Sequence, residues 1–250
     1  MQIRHAQMTV FEDGARQQFE AELLDHARSF APELAEVAGE SKLRTVVAAA
    51  VERGSDHGFS DRGPVRLFLE MLLSLGWGFD TDPLLPWAAA ALGDTSDQHR
   101  RAERLYSASR DYYSLVAGQN DEYTVAALRR AIQLTAGHLR NMSGAIDQRI
   151  QGLLRSVYPE KYAYAGKAAV AGLLSLAGDT AAGYGVTDDT GRAIIAGTLF
   201  SFGHQVFSDP LYAWVSACMD SPGSGEERTS KLHRLLNGYF ERMISVLEGA

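Results

Sequence analysis

The chain has one cysteine, Cys218, among its 250 residues. It cannot close a disulfide within the chain. The residue 127 positions earlier is Ala91, so the expected part of Cys218 is that of a small apolar side chain. Basic residues are also in short supply, with 24 Lys+Arg against 31 Asp+Glu and a formal charge of −7. Phosphate backbones are bound by clustered Lys and Arg, so nucleic acid is a disfavoured partner. No apolar run reaches the roughly 18–20 residues that cross a bilayer. The opening Met1-Gln2-Ile3-Arg4-His5 has neither the apolar core nor the small-residue cleavage site of a secretory leader. The expectation is a cytoplasmic protein with no membrane partner. Alternating apolar–polar stretches of strand length are missing too, which leaves helix as the expected structure throughout.

Signatures of chemistry are equally sparse. The histidines are His5, His26, His57, His99, His138, His204 and His233, and none recurs between the two halves described below. No His-x3-His or Glu-x-x-His pair offers two metal ligands on one helix face. Asp188-Asp189 resembles the start of an acidic Mg²⁺ motif, but Thr190-Gly191-Arg192 supplies no third acid. Gly183-Tyr184-Gly185 lacks the Lys-Ser/Thr that completes a phosphate loop, and no Gly-x-Ser-x-Gly elbow occurs. No metal, no cofactor and no catalytic residue is therefore expected.

What the chain does have is a repeat. Residues 28–112 return, without a gap, 127 positions later, with 20 identities over 85 aligned positions. Ordinary composition gives roughly six by chance. Arg28-Ser29, Pro32-Glu33 and Ala38-Gly39 return as Arg155-Ser156, Pro159-Glu160 and Ala165-Gly166. Gly58, Asp61 and Gly76 return as Gly185, Asp188 and Gly203, and Asp82-Pro83-Leu84 with Trp87 as Asp209-Pro210-Leu211 with Trp214. The expected fold is all-α, with two tandem copies of a roughly five-helix unit, 1–120 and 121–250, packed with pseudo-twofold symmetry.

The first copy reads as five helices. A Ser/Thr-x-x-Glu capping box at Thr9-Val10-Phe11-Glu12 predicts a helix start, and Phe11, Ala15, Phe19, Leu23, His26 and Phe30 continue as one stripe. Ser41 predicts the next start and Gly54 its stop. A strongly apolar helix follows from Ser60 or Asp61 to Gly76. Asp82-Pro83 predicts the fourth start, with the carboxylate as N-cap and the proline at N1, and Gly93 its end. The fifth runs from about Asp97 to Val116. In the second copy, 121–157 reads as one helix or two, and later helices begin near Asp188, Asp209 and Glu226. Each recurring Asp, Gly and Trp has a capping, turning or packing task.

Candidate binding residues come from where the copies differ. Ala31, Ala35 and Val37 are replaced by Tyr158, Tyr162 and Tyr164, flanked by Lys161 and Lys167. Tyrosine is enriched at protein interfaces, and the same rings could equally pack the copies together. Charge differs as well. Residues 1–125 hold 12 Lys+Arg and 20 Asp+Glu, a net of −8, whereas 126–250 come to +1. Glu12, Asp13, Glu20, Glu22 and Asp25 begin the acidic stretch, which reads either as a solvated helix face or as a surface for a basic partner.

The stretch His57-Gly58-Phe59, Arg62-Gly63, Phe68 to Gly76, Phe79 to Pro83 and Leu85 to Ala88, with the opening Ile3-Arg4, Gln7-Met8 and Phe11, resembles small uncharacterised bacterial proteins encoded beside type VI secretion spike and effector genes. The likeness covers about residues 1–95, and the second copy departs from it at His204-Gln205 and Ala213, where the first has Trp77-Gly78 and Pro86. The resemblance implies a cytoplasmic, non-catalytic protein that binds a secreted toxin or effector, as an immunity protein or alternatively as a chaperone or adaptor, either monomeric or homodimeric. Two other readings stand beside it: an all-helical enzyme with a site between the halves, and a structural assembly module.

Overall fold

The computed structural model describes residues 5–249 except 136, 139 and 140, with side chains from Gly14 onward. Among the described residues the chain is helical, and no strand is present. In chain order the helices are α1 (His5–Phe30), α2 (Pro32–Ala38), α3 (Glu40–Asp56), α4 (Arg62–Leu75), α5 (Pro86–Leu92) and α6 (Gln98–Val116). Then come α7 (Glu122–Ile132), α8 (Ile146–Val157), α9 (Pro159–Gly183), α10 (Asp189–Phe202), α11 (Ala213–Met219) and α12 (Gly225–Gly249). Short 3₁₀ turns occupy Gln119–Asp121, Val206–Ser208 and Pro210–Tyr212.

Two cores form. The first joins Leu23, Leu43, Val46, Phe68, Leu72 and Leu105 from α1, α3, α4 and α6. The second joins Ile150, Leu154, Leu174, Ile195, Leu199 and Leu232 from α8, α9, α10 and α12. Each core borrows one leucine from the other half. Leu211 is buried in the first core and Leu84 in the second, and these two stand 127 positions apart. The turn Pro210–Tyr212 accordingly packs on α2 and α3.

Backbone conformations recur at the same offset. Gly39 and Gly166 have φ of 78° and 77°, and Gly76 and Gly203 have 94° and 96°. At Gly39 the turn separates α2 from α3; at Gly166 it bends α9 within its span. Gly76 has a second reason to be glycine, since a Cβ there would meet the Phe202 carbonyl oxygen at 2.5 Å.

Several sequence-predicted boundaries move. Helix α1 runs through Thr9 from His5, so the capping box marks no start; His5-Ala6-Gln7-Met8 contains no breaker to stop a helix. Helix α2 was not foreseen; Pro32 opens it and Gly39 closes it. Ser41 lies inside α3, because the Gly39 turn takes the N-cap position two residues earlier. The fourth helix begins at Pro86 instead of Pro83. Asp82 Oδ1 accepts the Leu84 N–H at 2.8 Å, and the Leu85 N–H bonds the Asp82 carbonyl, closing a tight turn ahead of the helix. In the second half α11 starts at the matching residue, Ala213, so proline alone does not fix the boundary. Among the described residues the 121–157 stretch is broken, with α7 and α8 at its two ends and Gly137 and His138 helical between them. The boundaries at Asp97 and Asp188 agree with expectation. Asp97 accepts from the His99 and Arg100 N–H groups, and Asp188 from that of Gly191.

Candidate functional site

The junction between the halves is built around two buried carboxylates. Asp82 and Asp209 are 4% and 2% exposed. Each uses one oxygen for its own turn: Asp82 accepts from Leu84 and Asp209 from Leu211, both at 2.8 Å. Each turns the other oxygen across the junction. The His204 N–H donates to Asp82 Oδ2 at 3.0 Å, and the Trp77 N–H donates to Asp209 Oδ2 at 2.9 Å. Positions 77 and 204 are again 127 apart, so the exchange is reciprocal. The two acids nevertheless titrate in opposite directions. Burial pushes Asp209 up to about 6 against its two backbone donors. Burial also raises Asp82, but the His204 ring and the backbone donors outweigh it and hold that carboxyl below its ordinary value. The imidazole Nδ1 is 3.4 Å from Asp82 Oδ2; Trp77 offers Asp209 no such partner.

Beside Asp82 lies a cavity of about 220 Å³ lined by both halves, with Tyr113, Asp121, Thr124, Tyr158, Lys161 and Phe202 in its wall. The Lys161 ammonium donates to the Ser201 carbonyl at 3.4 Å and sits 5.3 Å from the centre of the Phe200 ring. Among the described residues no carboxylate lies within ion-pair distance of it. Burial draws this lysine down to about 8, opposed by the negative charge of Asp82. The Tyr113 hydroxyl is shut away from solvent without a hydrogen bond, although the Ser74 hydroxyl approaches closely enough to temper the upward push of burial, which takes the phenol out of the physiological range. Position 34, the counterpart of Lys161, holds a buried Leu34. A sequence signal for this site existed in the lysine at 161 where position 34, 127 residues earlier, has leucine.

The predicted tyrosines separate. Tyr158 packs against both cores, and its hydroxyl donates to the Val116 carbonyl at 2.9 Å and bonds Thr124 Oγ1 at 3.0 Å. Tyr164 meets the Tyr112 ring edge-on with centroids 5.0 Å apart. Tyr162 packs on the second core, with its hydroxyl 3.5 Å from Gln151 Oε1. Two of the three rings thus join first-half to second-half residues. Of the acidic set, the Glu12 and Asp13 side chains lie outside the described residues. Glu20 pairs with Arg16, Glu22 with Arg62, and Asp25 with Arg28.

Two aromatic side chains of the first half stand exposed. Phe30 is 44% exposed at the end of α1, and Tyr106 is 52% exposed on α6. Their counterparts in the second half, Val157 and His233, lie where α7 packs along α12. Leu128, Ala131 and Ile132 of α7 point toward the second core, and Arg130 donates to the Val157 carbonyl at 3.1 Å. Among the described residues no helix takes the part of α7 on the first half, where α1 continues unbroken.

The two halves also differ inside. Arg53 donates to the Trp77 carbonyl at 2.6 Å and to Asp80 Oδ1 at 2.5 Å, and His57 bonds Asp80 Oδ2 at 3.1 Å. The counterparts are Thr180, Phe207 and Tyr184, whose two rings lie 5.7 Å apart. Among the described residues no group of three His, Cys, Asp or Glu side chains is placed to hold a metal ion, and no helix is long and apolar enough to cross a membrane. No protein-family model matches the chain, and no curated protein or solved structure matches it either.

Proposed function

We propose that the chain is one helical unit doubled and packed about a pseudo-twofold axis, and that it works in the cytoplasm as a non-catalytic protein that binds a polypeptide. The reciprocal placement of Leu84 with Leu211 and of Asp82 with Asp209 supports the doubled architecture. The observation that carries the binding reading is the exposure of Phe30 and Tyr106, whose counterparts Val157 and His233 lie beside α7 in the second half. The occupant that fits is an amphipathic helix of a partner. Because the first half carries a net charge of −8, the partner helix should hold basic residues beside its apolar stripe, as α7 does with Arg129 and Arg130. Taken with the resemblance to proteins encoded beside type VI secretion genes, the partner is a secreted toxin or effector, and the role is immunity or loading.

The test is co-purification with the effector encoded beside this protein, followed by a toxicity assay. Binding with loss of toxicity assigns immunity; binding without it assigns a chaperone or adaptor. Phe30→Glu and Tyr106→Asp should each weaken the complex at least tenfold while leaving the helical signal intact. Absence of binding to any neighbouring gene product ends this reading.

The cavity at Lys161 favours a second reading, an enzyme with its site between the halves. A lysine drawn down to about 8 in a cavity between the halves is suited to proton transfer or to attack on a carbonyl. Borohydride trapping of a carbonyl probe on Lys161, lost in Lys161→Met, distinguishes this from the first.

A further inference from the structure

A second hollow, larger than the cavity beside Asp82, lies in the second half and adjoins that cavity at Ser201. It measures about 340 Å³, opens to solvent on one side and is bounded by α7, α8, α10 and α12. Leu134, Ile150, Leu153, Ile194, Phe200 and Phe240 contribute large apolar side chains to its wall. Only two of its lining residues carry basic side chains, His233 and Arg234, and no Asp or Glu lines it. Neither His233 nor Arg234 makes a hydrogen bond or ion pair with a described residue. Arg234 therefore gives the rim a positive charge in a protein whose net charge is −7, while burial draws His233 below the ordinary imidazole value and leaves it as a neutral N–H donor at neutral pH.

The repeat explains how the hollow arises. At the matching positions the first half carries Arg66, Glu70 and Met71 where the second carries Ala193, Gly197 and Thr198. In the first half that space is closed by side chains: His26 bonds Glu70 at 2.8 Å, and Arg66 approaches the same carboxylate at 3.8 Å. His26 is replaced by Leu153, which lines the hollow. The substitutions thus exchange a filled polar contact for an empty apolar one on one copy alone. A volume of this size falls in the range of small-molecule sites, and a cavity of about 150 Å³ already holds benzene.

We infer that this hollow binds a small amphipathic carboxylate, with an apolar body of about eight carbons against Leu153, Ile194 and Phe240 and its anionic head at Arg234 and His233. The head meets two donors with no carboxylate competing for them. The body replaces water on a surface that is mostly hydrocarbon.

The experiment is calorimetric titration of the whole protein with octanoate, with octan-1-ol as the headless control. Octanoate should bind at least tenfold more tightly than octan-1-ol. Arg234→Gln should remove that preference, while leaving octan-1-ol binding unchanged. Gly197→Leu should abolish binding of both. A Cβ at Gly197 meets no atom within 4 Å, so this variant fills the hollow without forcing the backbone. Far-ultraviolet dichroism and melting of the variants confirm that they remain folded. Three results overturn the inference. The first is no heat from octanoate at millimolar concentration; the second is equal affinity for acid and alcohol. The third is a change in oligomeric state in Gly197→Leu without a change in ligand affinity, which would make the hollow an interface between copies. None of them bears on Phe30 and Tyr106, which lie in the other half.

Discussion

Asp82 and Asp209 make the same kinds of backbone contact, but Asp82 has the His204 ring beside it where Asp209 has only Trp77 and the more remote Arg53 charge. The raised carboxyl of Asp209 binds its proton more tightly folded than unfolded. Its contribution to stability is therefore fully present below about pH 4 and is lost as pH rises through about 6. The lowered carboxyl of Asp82 acts in the opposite sense, at pH values below its ordinary 3.8. Relative to Asp209→Asn, the wild type should lose about 2–3 kcal/mol between pH 4 and pH 7, measured by denaturant unfolding at a series of pH values. A flat difference would mean that Asp209 does not titrate in this range. Glycines give a second prediction at this scale. Gly76→Ala combines a positive φ with a collision against the Phe202 carbonyl and should cost more than about 2 kcal/mol. Gly166→Ala has the same sign of φ but open space around it, and should cost only about 1 kcal/mol.

Helix starts divide by whether the capping side chain is engaged. Asp97 accepts two N–H groups at the start of α6, whereas Asp61 accepts none at the start of α4 and instead pairs with His99 at 2.9 Å on the surface. Asp97→Ala should cost about 1 kcal/mol and Asp61→Ala less than about 0.5 kcal/mol, read from thermal unfolding. Identical costs would contradict the assignment of the cap. These elements also show where sequence reading succeeds. Asp97 and Asp188 were legible because a cap and its helix are consecutive in the chain. Asp82 was misread because its carboxylate completes a turn and a contact with His204, 122 positions away. A local motif cannot reveal that the acid is engaged at long range.

At the scale of the molecule, the exchanged leucines and carboxylates tie the two cores together. Removing either acid leaves a buried N–H of the opposite half without an acceptor, at about 1–3 kcal/mol each. The wild type should unfold in a single transition, with dichroism and tryptophan fluorescence coincident. Asp82→Ala combined with Asp209→Ala should destabilise both halves and separate the two signals. Independent unfolding of the halves in the wild type would show that the junction does not couple them. The candidate sites belong to this scale also. Lys161 was visible only as a flank of the tyrosines, and Tyr113, Phe30 and Tyr106 not at all. Whether a side chain faces a cavity or solvent depends on which helices meet, and neighbours along the chain do not encode that.

The all-helical architecture followed from the sequence alone, because helix is a local outcome of apolar spacing and of the lack of strand patterning. The spacing of 127 residues did too, since it is written as identity. The tertiary structure decided which leucine enters which core, that the recurring acids reach across the junction, and that small residues at 193, 197 and 198 open a hollow. Those outcomes depend on the volume left between packed helices, a quantity that exists only once the helices are brought together.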